Sequence, residues 1–180
     1  TAVRRVLITA GATGIGRAMA DAFAAAKYDV FVTDVDAAAL EDCPTNWHRF
    51  AVDVRDEKQM QDIFSEVGAL EVLCANAGVA GPTEIVEDIS ISDWQDCISV
   101  NLDGAFIAAK CAVPAMKVAG RGSIVLTSST AGLFGYPHRA PYAAAKWAVI
   151  GLMKTLAMEL GPFGIRANAI CPGAVEGPRM

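Results

Sequence analysis

Two patterns alternate along the chain. Short, nearly continuous apolar runs at residues 4–10 (R-R-V-L-I-T-A), 29–34 (D-V-F-V-T-D), 48–54, 70–75 (L-E-V-L-C-A), 123–129 and 165–170 (I-R-A-N-A-I) read as strands buried on both faces. Longer stretches of helix formers between them place helices at 17–27, 56–67, 93–117 and 142–160. The 56–67 helix opens on acidic residues, as its dipole prefers, and Pro141 suits the first turn of the last helix. Residues 81–92, with Pro82, Asp88 and Ser90, read as loop. Asn101, Gly104 and Pro114 interrupt the 93–117 helix; a mid-helix asparagine can compete for backbone groups and distort its turn, and a solvent-facing asparagine is the alternative. Strand and helix alternate from the start, which implies an α/β fold with a parallel sheet covered on both faces. Right-handed crossovers restrict such a sheet to a doubly wound topology.

Composition narrows the class. With 180 residues, 53% hydrophobic and 19% charged, the chain has the material for one domain with a core, and no repeat or linker divides it. A net charge of −5 without a basic run argues against a nucleic-acid partner. The cysteines (Cys43, Cys74, Cys97, Cys111, Cys171) show neither pairing nor metal-like spacing, which fits reduced, mostly buried thiols and no metal site. The apolar 142–160 helix carries Lys146, Lys154 and Glu159, which a membrane span tolerates poorly. The N-terminus runs straight into a strand with no leader pattern, so a soluble, cytoplasmic protein is expected. That helix is nonetheless apolar nearly all round, and a partner subunit is expected to cover the face that the sheet does not.

The candidate chemistry lies at the ends of strands. The first strand breaks into Gly11, Gly14 and Gly16 before a helix start, an arrangement that lets backbone N–H groups and a helix dipole meet a phosphate. An ordinary turn needing glycine is the alternative. Asp34, 20 residues past Gly14, ends the second strand where a dinucleotide site places a carboxylate on the adenosine ribose; the alternative is a turn or capping acid. Such an acid repels a 2′-phosphate, and neither Thr13 nor Val35 offers one a positive charge, so NAD is expected over NADP. Ser129 ends the fifth run, and Tyr142 and Lys146, four apart, share a helix face, so that a hydroxyl, a phenol and an ammonium can converge for proton transfer. An ammonium beside a phenol favours the phenolate. Tyr136 and His138 read as a solvated loop, with a substrate-facing role as the alternative, and Trp94 and Trp147 as packing residues.

Together these residues resemble the short-chain dehydrogenase/reductase family over the whole chain. T-A-G-A-T-G-I-G at 9–16 is similar to the T-G-x-x-x-G-x-G cofactor turn, with Ala10 in place of the first glycine. Asn76-Ala77-Gly78 resembles the end of N-N-A-G, with Ala75 replacing the first asparagine, and Asn101, Ser129, Tyr142 and Lys146 match the catalytic four. Pro172-Gly173 matches the turn beside the nicotinamide, while the threonine usual a few residues on is absent from Val175-Glu176-Gly177-Pro178.

The resemblance implies a Rossmann fold with strand order 3-2-1-4-5-6, and a seventh strand and substrate-covering segment that this chain does not contain. It implies cofactor contacts from Gly11, Thr13, Gly14, Ile15, Gly16, Asp34, Asp53 (to the adenine amino group), Val54, Asn76, Ala77, Gly78, Pro172, Gly173 and Val175, together with Tyr142 and Lys146. Lys146 would hold the nicotinamide ribose and Asn101 a proton-relaying water. The expected activity is NAD-dependent hydride transfer with a small secondary alcohol or ketone of polyol, sugar or hydroxy-acyl type. A 3-oxoacyl-thioester reductase and a non-catalytic dinucleotide-binding scaffold are the alternatives. Assembly as a homodimer or homotetramer through the 93–117 and 142–160 helices is expected.

Overall fold

The computed structural model describes residues 3–175. Its six strands are β1 (Arg5–Thr9), β2 (Asp29–Asp34), β3 (His48–Ala51), β4 (Val72–Ala75), β5 (Gly122–Thr127) and β6 (Ile165–Ile170). All pair in parallel, in the order β3-β2-β1-β4-β5-β6, as expected of a doubly wound sheet. The helices are α1 (Gly14–Ala25), α2 (Ala37–Glu41), α3 (Glu57–Val67), α4 (Ile91–Ile98), α5 (Gly104–Ala119) and α6 (Ala140–Leu160).

Side-chain alternation along the strands sorts the core into two layers. Val6, Ile8, Val30 and Val32 pack with Ala20 and Leu40 on the α1/α2 side. Leu7, Phe31, Leu73, Ile124 and Leu126 meet α3, α5 and α6 on the other.

Boundaries differ from expectation where the chain turns toward the cleft. β1 stops before Ala10, whose φ of +49° leaves the strand region. β3 ends at Ala51 because Asp53 closes a turn onto Asp56 N–H. β5 ends at Thr127, and Ser129 instead heads a 3₁₀ turn over Thr130–Gly132. The short α2, capped by Asp36 onto Ala39 N–H, was not foreseen, because its five residues are too few to display a helical period.

The helix expected at 93–117 runs through α4 and α5 as one rod, joined by a π-helical turn at Ser99–Asp103. Asn101 is the cause. Its Nδ2 donates to the carbonyl of Cys97, four residues back, and so competes for the acceptor of the regular ladder. Rather than facing solvent it is buried, 1% exposed.

Candidate active site

The C-terminal ends of the parallel strands lie along one edge of the sheet, and each expected site residue in the described range lies at such an end or in the segment that leads on from it. At β1 the backbone turns left-handed at Ala10 and again at Gly14 (φ +56°). Two glycines are there for space. A Cβ on Gly16 would lie 2.0 Å from the Ala10 carbonyl oxygen, and one on Gly11 would lie 2.7 Å from Val32 Cγ1. Gly14 faces open space instead, with no atom within 4 Å of a Cβ built there. Thr13, the N-cap of α1, makes no side-chain cap, so the N–H groups of the first turn, at Ile15 and Gly16, face the same opening. Such an arrangement can cradle a phosphate.

Asp34 stands one strand away. Its Oδ2 accepts from Ala12 N–H at 3.2 Å and its Oδ1 from Asp36 N–H at 3.2 Å. The carboxylate therefore braces the glycine turn as well as lining its edge. Val35 beside it is exposed, and Arg17 on α1 is turned onto the Trp47 ring and Asp21.

Asp53 is held by a residue not anticipated from the sequence. The Arg55 guanidinium donates from Nε and Nη2 to both Asp53 oxygens, at 2.6–3.0 Å, and reaches Asp96 on α4 at 2.5 Å. These hydrogen bonds hold the Asp53 carboxyl below its usual range. Val54 is buried, and Gly104 lets α5 approach it, since a Cβ there would come within 2.5 Å of Val54 Cγ2.

At the end of β4, Asn76 serves the frame. Its Nδ2 donates to the carbonyls of Thr9 and Ala10, its Oδ1 accepts from Thr127 Oγ1, and the Asn76 and Ala77 N–H groups both donate to Thr9 Oγ1. Three strand ends are stapled by these two side chains. Gly78 follows, where a Cβ would fall 2.6 Å from Asn101 Oδ1 and 3.2 Å from Lys146 Nζ, so only glycine lets those two groups close over the backbone. Asn101 Nδ2 also donates to the Val79 carbonyl at 3.0 Å, whereas its Oδ1 is buried with no hydrogen-bond partner among the described residues. A buried acceptor left open in this way is a place for a water or ligand hydrogen.

The end of β5 is stitched to α6. Lys146 is 3% exposed and its Nζ donates to the Thr127 carbonyl at 2.9 Å. Ser128, also not anticipated, donates to the Lys146 carbonyl at 2.8 Å, and a Cβ on Gly132 would come within 2.4 Å of Ser128 Oγ. Ser129 Oγ accepts from Ala131 N–H, which leaves its own O–H to donate. Tyr142 is half-buried, with Lys146 Nζ 5.6 Å and the Arg139 guanidinium 5.3 Å from its ring centroid. Beyond β6 the Pro172 carbonyl accepts from Thr130 N–H, which brings Gly173 beside the serine turn, and Val175 is 48% exposed. The expected departure at 176–178 lies outside the described residues.

Of the loop and tryptophan expectations, Tyr136 and His138 are exposed as expected. Trp94 and Trp147 are not core, at 38% and 51% exposure. Ser128, Arg55 and Arg139 each sit within three residues of an anticipated site residue. That proximity was the available signal, but only the fold shows which way they turn.

A sequence profile for short chain dehydrogenases matches residues 4–180. Trans-4-hydroxycyclohexanecarboxylate dehydrogenase of Sinomonas cyclohexanicum is 52% identical over 111 residues, which are 62% of this chain and 42% of that one. The chain thus spans less than half the length of this curated relative. Among solved structures, NAD+-bound xylitol dehydrogenase superposes with a TM-score of 0.94 at 30% identity, over 98% of this chain and 72% of its own. ElxO with NADP bound gives 0.92 at 31% identity, over 99% and 76%.

Proposed function

Because the chain belongs to the short-chain dehydrogenase family, we propose that it is a cytoplasmic oxidoreductase that interconverts a small secondary alcohol and its ketone, with NAD preferred over NADP. The observation that carries this reading is the closure of Asn101 Oδ1 and Lys146 Nζ over Gly78, on the same sheet edge as the glycine cradle and Asp34. The residues fit a dinucleotide. Gly11, Thr13, Gly14, Ile15 and Gly16 would hold the pyrophosphate, and Asp34 the adenosine ribose. Asp53, Val54, Asn76, Ala77 and Gly78 would line the path onward, and Pro172, Gly173 and Val175 the nicotinamide end.

Bound nicotinamide supplies the hydride acceptor or donor. Tyr142 takes the hydroxyl proton as the alcohol carbon is oxidised, or returns one to the ketone oxygen in reduction. Ser129 donates its O–H to that oxygen, where negative charge develops. The Lys146 ammonium, anchored on the Thr127 carbonyl, favours the phenolate. The open Asn101 Oδ1 holds a water that passes the proton onward.

A relative of nearly the same structural likeness has NADP bound, so the fold alone does not select NAD. The preference rests on Asp34, with uncharged Thr13 and Val35 beside it. The names of two relatives point to ring and polyol hydroxyls as the substrate class.

Calorimetric titration with NAD and NADP, on the wild type and Asp34→Ala, tests the cofactor reading. NAD should bind much more tightly than NADP, and the gap should narrow in the variant. Tyr142→Phe should keep NAD binding and lose turnover by roughly a hundredfold or more on a polyol and hydroxy-acid panel. If the wild-type chain binds neither nucleotide, the reading fails.

A further inference from the structure

Tyr142 has a second cation beside it that the proton-transfer scheme does not use. Arg139 is the N-cap residue of α6, three positions before the tyrosine. Its guanidinium carbon lies 5.3 Å from the Tyr142 ring centroid, slightly closer than Lys146 Nζ at 5.6 Å. The fork is aimed and held. Nη2 donates to the Ala80 carbonyl at 2.8 Å and Nη1 to Thr83 Oγ1 at 3.2 Å, both on the loop after β4. A backbone bond from Glu84 N–H to the His138 carbonyl joins the same two segments. The third guanidinium nitrogen, Nε, is buried with no hydrogen-bond partner among the described residues. Leaving a charged donor unmet is costly, so hydrogen bonding alone does not explain an arginine here.

We infer that Arg139 is a positioning residue for Tyr142: its charge, fixed against the ring by the Ala80–Thr83 loop, stabilises the phenolate jointly with Lys146. This rests on the reading of Tyr142 as the general acid/base. A cation near the ring is attracted to the neutral quadrupole and more strongly to a phenolate, whose charge spreads into the ring. Several charged and titratable groups face the pair, Glu84 on the clasping loop among them. α6 contributes Arg139 and Lys146, and the loop before it contributes Tyr136 and His138. α4 contributes Cys97, with Asp96 near that thiol. Burial pushes the Cys97 thiol up, so it stays neutral, while the Asn101 hydrogen bond and the Lys146 and Arg139 charges pull it down. Asn101 and Ser129 carry no charge.

The test reads the phenol itself. Phenolate absorbance is followed across pH as the ultraviolet difference between each protein and the same protein carrying Tyr142→Phe, which cancels Tyr28 and Tyr136. Arg139→Gln keeps a donor for Ala80 and loses the charge, Arg139→Met loses both, and Arg139→Lys restores the charge. In both uncharged variants the phenolate absorbance should rise at higher pH than in the wild type, and the lysine variant should recover most of that difference. NAD affinity by calorimetry and melting temperature should stay near wild type in Arg139→Gln. Unchanged phenolate in either uncharged variant, or no recovery with lysine, overturns the inference. So does failure of both uncharged variants to fold, since Arg139 would then be a loop clasp. Turnover bears on the oxidoreductase reading alone, so the two can fail separately.

Discussion

At the scale of single residues, Ala10 shows how a departure from a family pattern acquires physical meaning. The resemblance read from the sequence puts a glycine at this place, and the alanine's φ of +49° is a conformation that costs an L-residue about 1–2 kcal/mol. Its carbonyl is also the atom that forces Gly16 to be glycine, at 2.0 Å from a built Cβ, so the turn cannot relax by moving it outward. Ala10→Gly should therefore stabilise the chain. Relief of the left-handed strain exceeds the extra unfolded-state freedom of glycine, and a net gain of about 0.5–1 kcal/mol is expected from the urea midpoint. No gain, or a loss, would mean that the turn is not strained as described. The substitution was legible from the sequence; the backbone angle that makes it matter was not, because it depends on where β1 and Asn76 pin the chain on either side.

At the scale of elements, the strand ends are tied to one another by polar side chains, and Arg55 is the clearest tie. It joins the loop after β3 to α4 by holding Asp53 and Asp96 at once. Because the folded-state pKa of Asp53 lies below its unfolded value, its contribution to stability is present above the ordinary aspartate value of about 3.9 and is lost as pH falls through the lower folded value. Arg55→Ala should thus lower the melting temperature near neutral pH, with the gap to wild type closing as the solution is acidified below about pH 3.9. A gap that persisted at low pH would assign the loss to packing rather than to the ion pair. The side-chain exposures, 42% for Arg55 and 35% for Asp53, keep the expected effect small. Elements themselves were largely legible: all six strands and a doubly wound sheet follow from run length, alternation and right-handed crossovers, whereas the strand order came from the family resemblance, and the distortion at Asn101 was one of two readings of a mid-helix asparagine. Arg55 and Arg139 were not, since an arginine beside an acid or a tyrosine in sequence says nothing of which α4 or loop group lies across from it. The short α2 was hidden for the opposite reason, having too few residues for a period.

At the scale of the whole molecule, the sheet leaves part of its helical cover unexplained. α5 and α6 pack on the same side of the sheet, and their inner faces supply Ala108, Ala112, Met116 and Val149 to the core. Their outer faces mix charged residues such as Lys110, Lys154 and Glu159 with large exposed apolar ones. Trp147 (51% exposed) and Met158 (81%) lie three turns apart on one face of α6, and Phe106 (49%) is exposed on α5. Aromatic and methionine side chains on adjacent helices form the kind of patch that a second copy covers, and burying one such side chain is worth about 1.5–3 kcal/mol. The chain is therefore expected to sediment as a dimer or tetramer. Trp147→Glu should move it toward monomer with its far-ultraviolet circular dichroism intact, because Trp147 is outside the core and its replacement leaves no cavity. NAD binding offers the internal control, since the cradle lies at the strand ends rather than on the outer face of α6. A variant that dissociates and still binds NAD would separate assembly from cofactor binding. A wild-type chain that sediments as a monomer would leave the outer face of α6 to another partner and end the expectation of self-association.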